Sequence, residues 1–294
     1  MKIAIFGSTG LLGSNLVSNY LKKGIEIRSF SKSFSKDTIQ TNKIIDFDNL
    51  NTQVETNFNI WKPDVIINTI ALVNLQACED NYQLAYDTNV RIAKDLCKIA
   101  KKHNSYFIHI STDHFYNDKK LKHSEDDEVV LLNNYAKTKF EAEKEILSFY
   151  NFSLIVRTNI IGFRKNGIDS FFEWLLNSIE KQLPLSLYPN YFTSPISVGE
   201  LSGLLLLCYK RKLTGVYNIS SQEVIDKYSF GIKTAKKFGY STQNISNKPL
   251  NNSKSEIQRA LSLGLDTSKI QKSLNLRMPT IDETLNTLYK EYHE

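Results

Sequence analysis

Three glycines spaced three residues apart, Gly7, Gly10 and Gly13, constrain this chain more than any other feature. They follow an apolar run from Ile3 to Phe6 and precede an amphipathic stretch, so the order reads strand, glycine turn, helix. Gly7 takes the tight turn off the strand. Gly10 lets backbone amides approach a bound group closely, and Gly13 lets the helix lie against the sheet. The N–H groups at the helix start, with the helix dipole behind them, then favour an anion such as a diphosphate.

The pattern repeats downstream. IEIRSF (25–30), KIIDF (43–47), VIINTIA (65–71), YFIHIS (106–111) and FSLIVRTN (152–159) read as further strands. VIINTIA is continuously apolar, as strands buried on both faces of a parallel sheet are. Between them, AYDTNVRIAKDLCKIAKKH carries Val90, Ala93, Leu96, Cys97 and Ala100 at helical spacing, and residues 134–149 form another helix. This rhythm predicts an α/β fold, a doubly wound, mostly parallel sheet of Rossmann type with right-handed crossovers. Beyond Asn159 the rhythm loosens into helices at 168–181, 226–238, 267–274 and 280–292 and a strand at 215–220. The expected division is a cofactor-binding domain over 1–160, with 195–220 packing back on it. A smaller substrate-binding part over 161–294 caps the carboxyl ends of the strands.

Composition narrows the function classes. The net charge of +6 comes from 37 basic residues interleaved with 31 acidic ones, so no basic arm offers itself to nucleic acid, and a polyanionic small molecule is the milder inference. Three cysteines without CxxC or Cys/His clustering argue against a disulfide framework or a metal site. No apolar run approaches the ~20 residues that span a bilayer, and the first strand leaves no room for a signal peptide, so a cytoplasmic protein away from membranes is expected.

Chemistry is suggested by Tyr135 and Lys139, four residues apart at the start of a helix and therefore on one face, about 40° apart in rotation. An ammonium beside a phenol lowers the phenol pKa from its ordinary ~10. A carbonyl accepting hydride needs such a proton donor, with the Thr112 hydroxyl at a strand end to hold the oxygen and Lys139 reaching the nicotinamide ribose. Where NAD-preferring folds place an acid for the ribose 2′-hydroxyl, this chain has Ser29, Ser31 and Lys32, with Arg28 nearby and Asp37 the acid that a folded-back loop would bring. NADP(H) is therefore the expected cofactor, with NAD(H) as a second choice. His114 reads as a hydrogen-bonded loop residue more than as a catalytic imidazole.

The GxxGxxG spacing resembles that of the short-chain dehydrogenase/reductase superfamily. In order, GSTGLLG, NTIALVNLQACEDN, ISTDHFYND, NYAKTKFEAE, RTNIIGF and LSLGLDTSKIQKSL are similar to blocks of its dTDP-4-dehydrorhamnose reductase family, over nearly the whole chain. The resemblance implies Thr112, Tyr135 and Lys139 as the triad. It also implies Gly7, Thr9, Gly10, Leu11, Leu12, Gly13, Ser31, Lys32, Asp46, Phe47, Thr69 and Ala71 around the cofactor. Thr112, Asp113, Asn159 and Arg259 then face a nucleoside-diphosphate sugar, and a homodimer is the assembly to test. Departures lie on the substrate side: His114-Phe115 in place of an aromatic pair, Ile160 in place of an aromatic residue, and Arg259-Ala260 in place of Arg-Pro. Two alternatives remain open. A nucleotide-sugar epimerase or dehydratase shares fold and triad, although dehydratases add an acidic pair where this chain has Asp113-His114. A regulatory subunit like the beta subunit of methionine adenosyltransferase resembles the same family without needing turnover.

Overall fold

The computed structural model describes residues 1–33, 42–116, 120–164, 168–251 and 257–294; Asp37, and Asn117 and Asp118 of the ISTDHFYND block, lie outside the described residues. The chain forms two compact units, one of residues 1–112, 133–157 and 205–216, the other of 113–132, 158–204 and 217–294.

The first unit is organised by a seven-stranded sheet. Its strands are β1 (Lys2–Phe6), β2 (Glu26–Ser31), β3 (Asn42–Ile44), β4 (Val65–Asn68), β5 (Tyr106–Ile110), β6 (Ser153–Arg157) and β7 (Gly215–Asn218), in the spatial order β7-β6-β5-β4-β1-β2-β3. All pairings among β1 to β6 are parallel. Strand order reverses between β1 and β4, so the carboxyl ends of these two strands, Gly7 and Thr69, flank the point where open sheets of this kind bind ligands.

Helix α2 (Leu50–Trp61) buries Leu50, Val54, Phe58 and Trp61, a stripe that follows from their helical spacing. Phe58 meets the Phe6–Phe30 stack edge-on, the stacked rings lying 4.6 Å apart across the β1–β2 register. Each such ring contributes roughly 1.5–3 kcal/mol by leaving water. Helices α3 (Ile92–Lys102) and α4 (Asn134–Phe149) cover the same core through Ala93, Leu96, Ala100, Ala142 and Ile146.

Three expectations change in detail. The strand expected over 65–71 stops at Asn68, whose side-chain Oδ1 takes the N–H of Ile70 and turns the backbone out of the ladder. The strand expected over 43–47 ends at Ile44, and Phe47–Asn49 winds into a 3₁₀ turn that leads into α2. The single helix expected before His103 is broken: Tyr82–Tyr86 is α-helical, Asp87–Arg91 widens into a π-helical turn, and α3 follows. The wider turn brings Asn89 inward, fully buried, a common feature of π-turns near functional sites.

The second unit is built of short ladders: Ile160–Ile161 with Ile196–Ser197, Leu185–Leu187 with Ile245–Asn247, and Lys122–His123 with Gly264–Leu265, which are parallel, and Phe192–Thr193 with Ile225–Asp226, which is antiparallel. Around them pack α5 (Phe171–Glu180), α6 (Lys227–Phe238) and α7 (Ile281–His293), joined by Phe172, Leu175, Phe230, Leu285 and Leu288. Capping boxes, Ser170 with Glu173 and Thr280 with Glu283, start α5 and α7.

One buried ion pair fixes α4 on the sheet. Arg157, at the end of β6, donates to both oxygens of Glu143, Nη2 to Oε2 at 2.7 Å and Nε to Oε1 at 3.1 Å, and Ser111 Oγ donates to Oε1 at 2.5 Å. Removing one partner of a buried pair leaves the other charge desolvated. Glu143→Ala is expected to lower unfolding stability by about 3–5 kcal/mol. Urea titration checks this, and a loss below about 1 kcal/mol, the range of an exposed pair, would refute it.

Candidate active site

The glycine turn is as tight as its spacing requires. Gly7 sits at φ 85°, and a side chain there would meet Thr69 Oγ1 and the Ile70 backbone. A Cβ on Gly13 would lie 2.2 Å from the Gly7 carbonyl oxygen, so the first turn of α1 (Leu11–Lys22) rests directly on the loop. Gly10, the N-cap, offers no side chain to the helix start, and no acid occupies the first turn. The turn is thus built to present amides to an anion from outside, which fits the diphosphate of a dinucleotide. Thr9, Gly10 and Leu11 are half-buried and Leu12 is buried behind them. Thr69 Oγ1 donates to the Phe6 carbonyl at 2.8 Å, tying the β4 end to the β1 end, and Ala71 follows half-buried.

At the end of β2, Ser31 is buried with its hydroxyl donating to the Ser33 carbonyl at 2.5 Å, whereas Lys32 is exposed with Nζ 5.7 Å from the Phe47 ring centroid. Phe47 is buried; Asp46 is exposed and accepts from Asn49 Nδ2. Arg28, expected near this end, lies over the Trp61 ring instead, 4.7 Å from its centroid.

Thr112 lies two residues past β5 and is buried. Tyr135 is the second residue of α4, which Asn133 caps by accepting from the Ala136 N–H at 2.9 Å, and its ring packs with Cys78 and Ala85. One turn on, Lys139 is 1% exposed; its Nζ lies 2.7 Å from the Ile110 carbonyl and 3.3 Å from His109 Nε2. Burial pushes the Lys139 amine down to about 8, against a smaller opposing pull from Glu143. The sequence showed a lysine beside a tyrosine; it did not show that the lysine is desolvated.

Sequence reasoning missed four residues of this group. His109 is fully buried, and burial, with Lys139 beside it, holds its imidazole well below the ordinary range. Asn68 Nδ2 lies 3.1 Å from His109 Nδ1. Asn89 accepts from the Leu72 N–H at 2.7 Å and donates to Thr138 Oγ1 at 3.0 Å, joining the segment after β4 to α4. Glu143 holds Arg157 and Ser111 as described. The available signal was Glu143 itself, at the same four-residue spacing beyond Lys139, which extends one face of α4.

In the second unit the structure gathers Asp113, His114, Asn159 and Lys227. Asn159 Nδ2 donates to Asp113 Oδ2 at 2.7 Å, and His114 Nε2 lies 3.9 Å from Asp113 Oδ1. Burial raises the Asp113 carboxyl, opposed by His114, Asn159 and Lys227. Burial lowers His114, opposed by Asp113 and assisted by Arg259 and Lys227. Lys227, absent from the sequence reading, is pushed down to about 8 by burial, and its Nζ lies 4.4 Å from the Phe171 ring centroid. Arg259 is half-buried. Among the described residues no group of His, Cys, Asp and Glu is arranged to hold a metal ion, and no helix is long and apolar enough to cross a membrane.

Burial gives the histidines a common effect. His103, His109, His114 and His123 all have native values below the ordinary 6.5. The unfolded chain therefore binds protons that the native state refuses, so stability falls as pH drops below about 6.5. The urea midpoint is expected to decrease from about pH 7 to about pH 5.5, above the carboxylate range; a flat midpoint would contradict it.

The RmlD substrate binding domain model matches residues 1–294. A dTDP-4-dehydrorhamnose reductase from Aggregatibacter actinomycetemcomitans is 27% identical over 238 residues, 79% of this chain and 77% of its own. The methionine adenosyltransferase 2 subunit beta of Xenopus laevis is 23% identical over 280 residues, 91% of this chain and 81% of its own. Among solved structures, a dTDP-4-dehydrorhamnose reductase from Bacillus anthracis in complex with NADP superposes with a TM-score of 0.85 at 21% identity, covering 99% of this chain and 98% of its own.

Proposed function

The chain belongs to the RmlD substrate binding domain family, and on that footing we propose that it is a nicotinamide-dependent reductase of a 4-keto sugar carried on a nucleoside diphosphate, dTDP-4-dehydrorhamnose or a near analogue, in deoxysugar or surface-polysaccharide synthesis. One observation carries this reading: a single unit holds both an uncapped, glycine-seated helix start at the carboxyl end of β1 and a helix with Tyr135 and buried Lys139 on one face, Lys139 reaching the Ile110 carbonyl at the end of β5.

When bound, the nicotinamide cofactor supplies the hydride. The chain supplies the rest. Leu11, Leu12 and Gly13 offer backbone amides to the diphosphate, and Gly7, Thr9, Gly10, Thr69 and Ala71 shape the loops beside it. Ser31, Lys32, Asp46 and Phe47 take the adenosine end. Tyr135 gives its phenolic proton to the sugar oxygen as negative charge develops there, and Thr112 donates a hydrogen bond to the same oxygen. Lys139 holds the ribose and favours the phenolate left behind. Asp113 and Asn159 meet sugar hydroxyls, and Arg259, joined by Lys227, meets the diphosphate. Three free, buried cysteines suit a reducing cytoplasm, where nucleotide sugars are made, and a homodimer is the assembly this reading carries.

The relative among methionine adenosyltransferase beta subunits favours a second reading, a binding subunit without turnover. Purified protein with NADPH and a panel of nucleotide 4-ketosugars separates the two: substrate-dependent loss of nicotinamide absorbance supports the reductase, and none with any sugar supports the binding subunit.

Tyr135→Phe is expected to lower kcat by about 10²-fold or more while leaving cofactor affinity nearly unchanged. Lys139→Ala should damage both, and Thr112→Val mainly turnover. Steady-state rates and fluorescence titration of cofactor check this; full turnover by Tyr135→Phe would move the acid elsewhere, to His114 first.

Cofactor choice follows from the β2 end, where exposed Lys32 faces no described carboxylate at positions 29–33. NADPH should bind at least as tightly as NADH, because a 2′-phosphate gains the Lys32 cation and the β2 end carries no acid at positions 29–33. Competitive titration decides it, and a strong NADH preference would overturn it.

A further inference from the structure

Lys139 sits at the end of a buried chain of hydrogen bonds whose donor and acceptor roles are fixed from one side. The backbone N–H of Ile70 can only donate, and it lies 3.0 Å from Asn68 Oδ1. That fixes the amide orientation, so Asn68 turns its NH₂ toward His109, Nδ2 to Nδ1 at 3.1 Å. Nδ1 must then accept. A neutral imidazole with Nδ1 as acceptor carries its proton on Nε2. Nε2 in turn faces Lys139 Nζ at 3.3 Å. The parallel β4–β5 register sets Asn68 opposite His109, and both side chains are buried, as is Lys139.

An Nε2–H donor facing Nζ opposes the ammonium form, which has only donors, and suits the amine, which has a lone pair. The other hydrogen bond, from Nζ to the Ile110 carbonyl at 2.7 Å, is open to both forms. We propose that Asn68 and His109 are positioning residues that lock the Nε2–H tautomer against Lys139 and so set the pH at which Lys139 gives up its proton. The titratable groups beside Nζ are Glu143, one turn on along α4 and itself held by Arg157 of β6, and the neutral His109 from β5. His109 stays neutral because burial and Lys139 both oppose its protonation, and burial itself lowers the Lys139 value.

The consequence for turnover rests on the role proposed above for Lys139; the tautomer does not. If the ammonium is the working form, activity falls as pH rises through the Lys139 value.

The test is nitrogen-15 NMR of the imidazoles in the full-length free protein, with His109 assigned by its loss in His109→Gln, and carbon-13 titration of the Lys139 side chain. His109 is expected as the Nε2–H tautomer from about pH 7 to about pH 9. In Asn68→Asp the near-isosteric carboxylate accepts from Nδ1–H, the tautomer switches, Nε2 becomes an acceptor for the ammonium, and the Lys139 titration moves up by about one pH unit or more. An Nδ1–H tautomer in the unsubstituted protein overturns the proposal even if Asn68→Asp does not fold. So does a folded Asn68→Asp in which neither tautomer nor titration moves. Should the titration move while the alkaline limb of kcat stays in place, the relay stands and the turnover role of Lys139 falls.

Discussion

The structure of the first unit depends on how the buried Glu143 carboxylate is satisfied. Removing a carboxylate from water costs several kcal/mol, and the cost is offset only where hydrogen bonds are supplied in good geometry. Here Arg157 closes on it in a fork and Ser111 adds a third bond. The three residues come from α4, the end of β6 and the residue after β5, so the arrangement holds only when α4 lies on those strands in one rotation. That rotation is inherited by every residue on the same face. Lys139, four residues earlier, drifts by about 40° from Glu143, which keeps it toward the carboxyl end of β5, where its Nζ reaches the Ile110 carbonyl.

A second tie works across the sheet. After β4 the chain leaves the ladder, and a segment without regular hydrogen bonds needs other partners for its backbone. Asn89 supplies them to Leu72 through both ends of its amide and reaches Thr138 as well. The π-turn is the local distortion that allows this, because a regular helix turns the next residue by about 100° and would swing Asn89 away. Thr138 donates in turn to carbonyls of its own helix, so no polar atom of this bridge is left without a partner. The loop beside the glycine turn and the helix bearing Tyr135 are thereby held as one piece within the unit.

What was legible in the sequence is what local spacing encodes. The glycine turn, the pair Tyr135 and Lys139, and the helix over 134–149 depend on neighbours within a few residues, and their geometry follows from strand and helix periods alone. The pairing of Asn68 with His109 depends on strands 41 residues apart meeting in one register, and Glu143 with Arg157 depends on the helix packing angle. Neither leaves a mark in composition. Arg28 makes the same point: sequence places it near the β2 end, whereas its guanidinium lies over Trp61 of α2, a pairing set by how the helix packs on the strand. The residues 113–132, which the chain order attaches to the sheet, belong to the second unit because they pair with 264–265, a contact nothing nearby in the sequence announces.

The charge of the chain takes on meaning only when the second unit is resolved residue by residue. A net charge of +6 spread over interleaved lysines says little, since exposed charges are screened within about 8–10 Å in salt. Around Asp113 the situation differs, because Lys227 and His114 are desolvated with it and Arg259 acts on the same imidazole. His114 is neutral near pH 7 since burial lowers it, so the charges left to balance are those of Asp113, Lys227 and Arg259. Burial pushes Asp113 toward its protonated form and Lys227 toward its neutral form, so an added anion stabilises Lys227 as a cation and an added cation does the opposite. In the reading proposed above, Asp113 and Asn159 meet the hydroxyls of the ligand and the cations meet its negative oxygens. A neutral sugar would answer only half of the group.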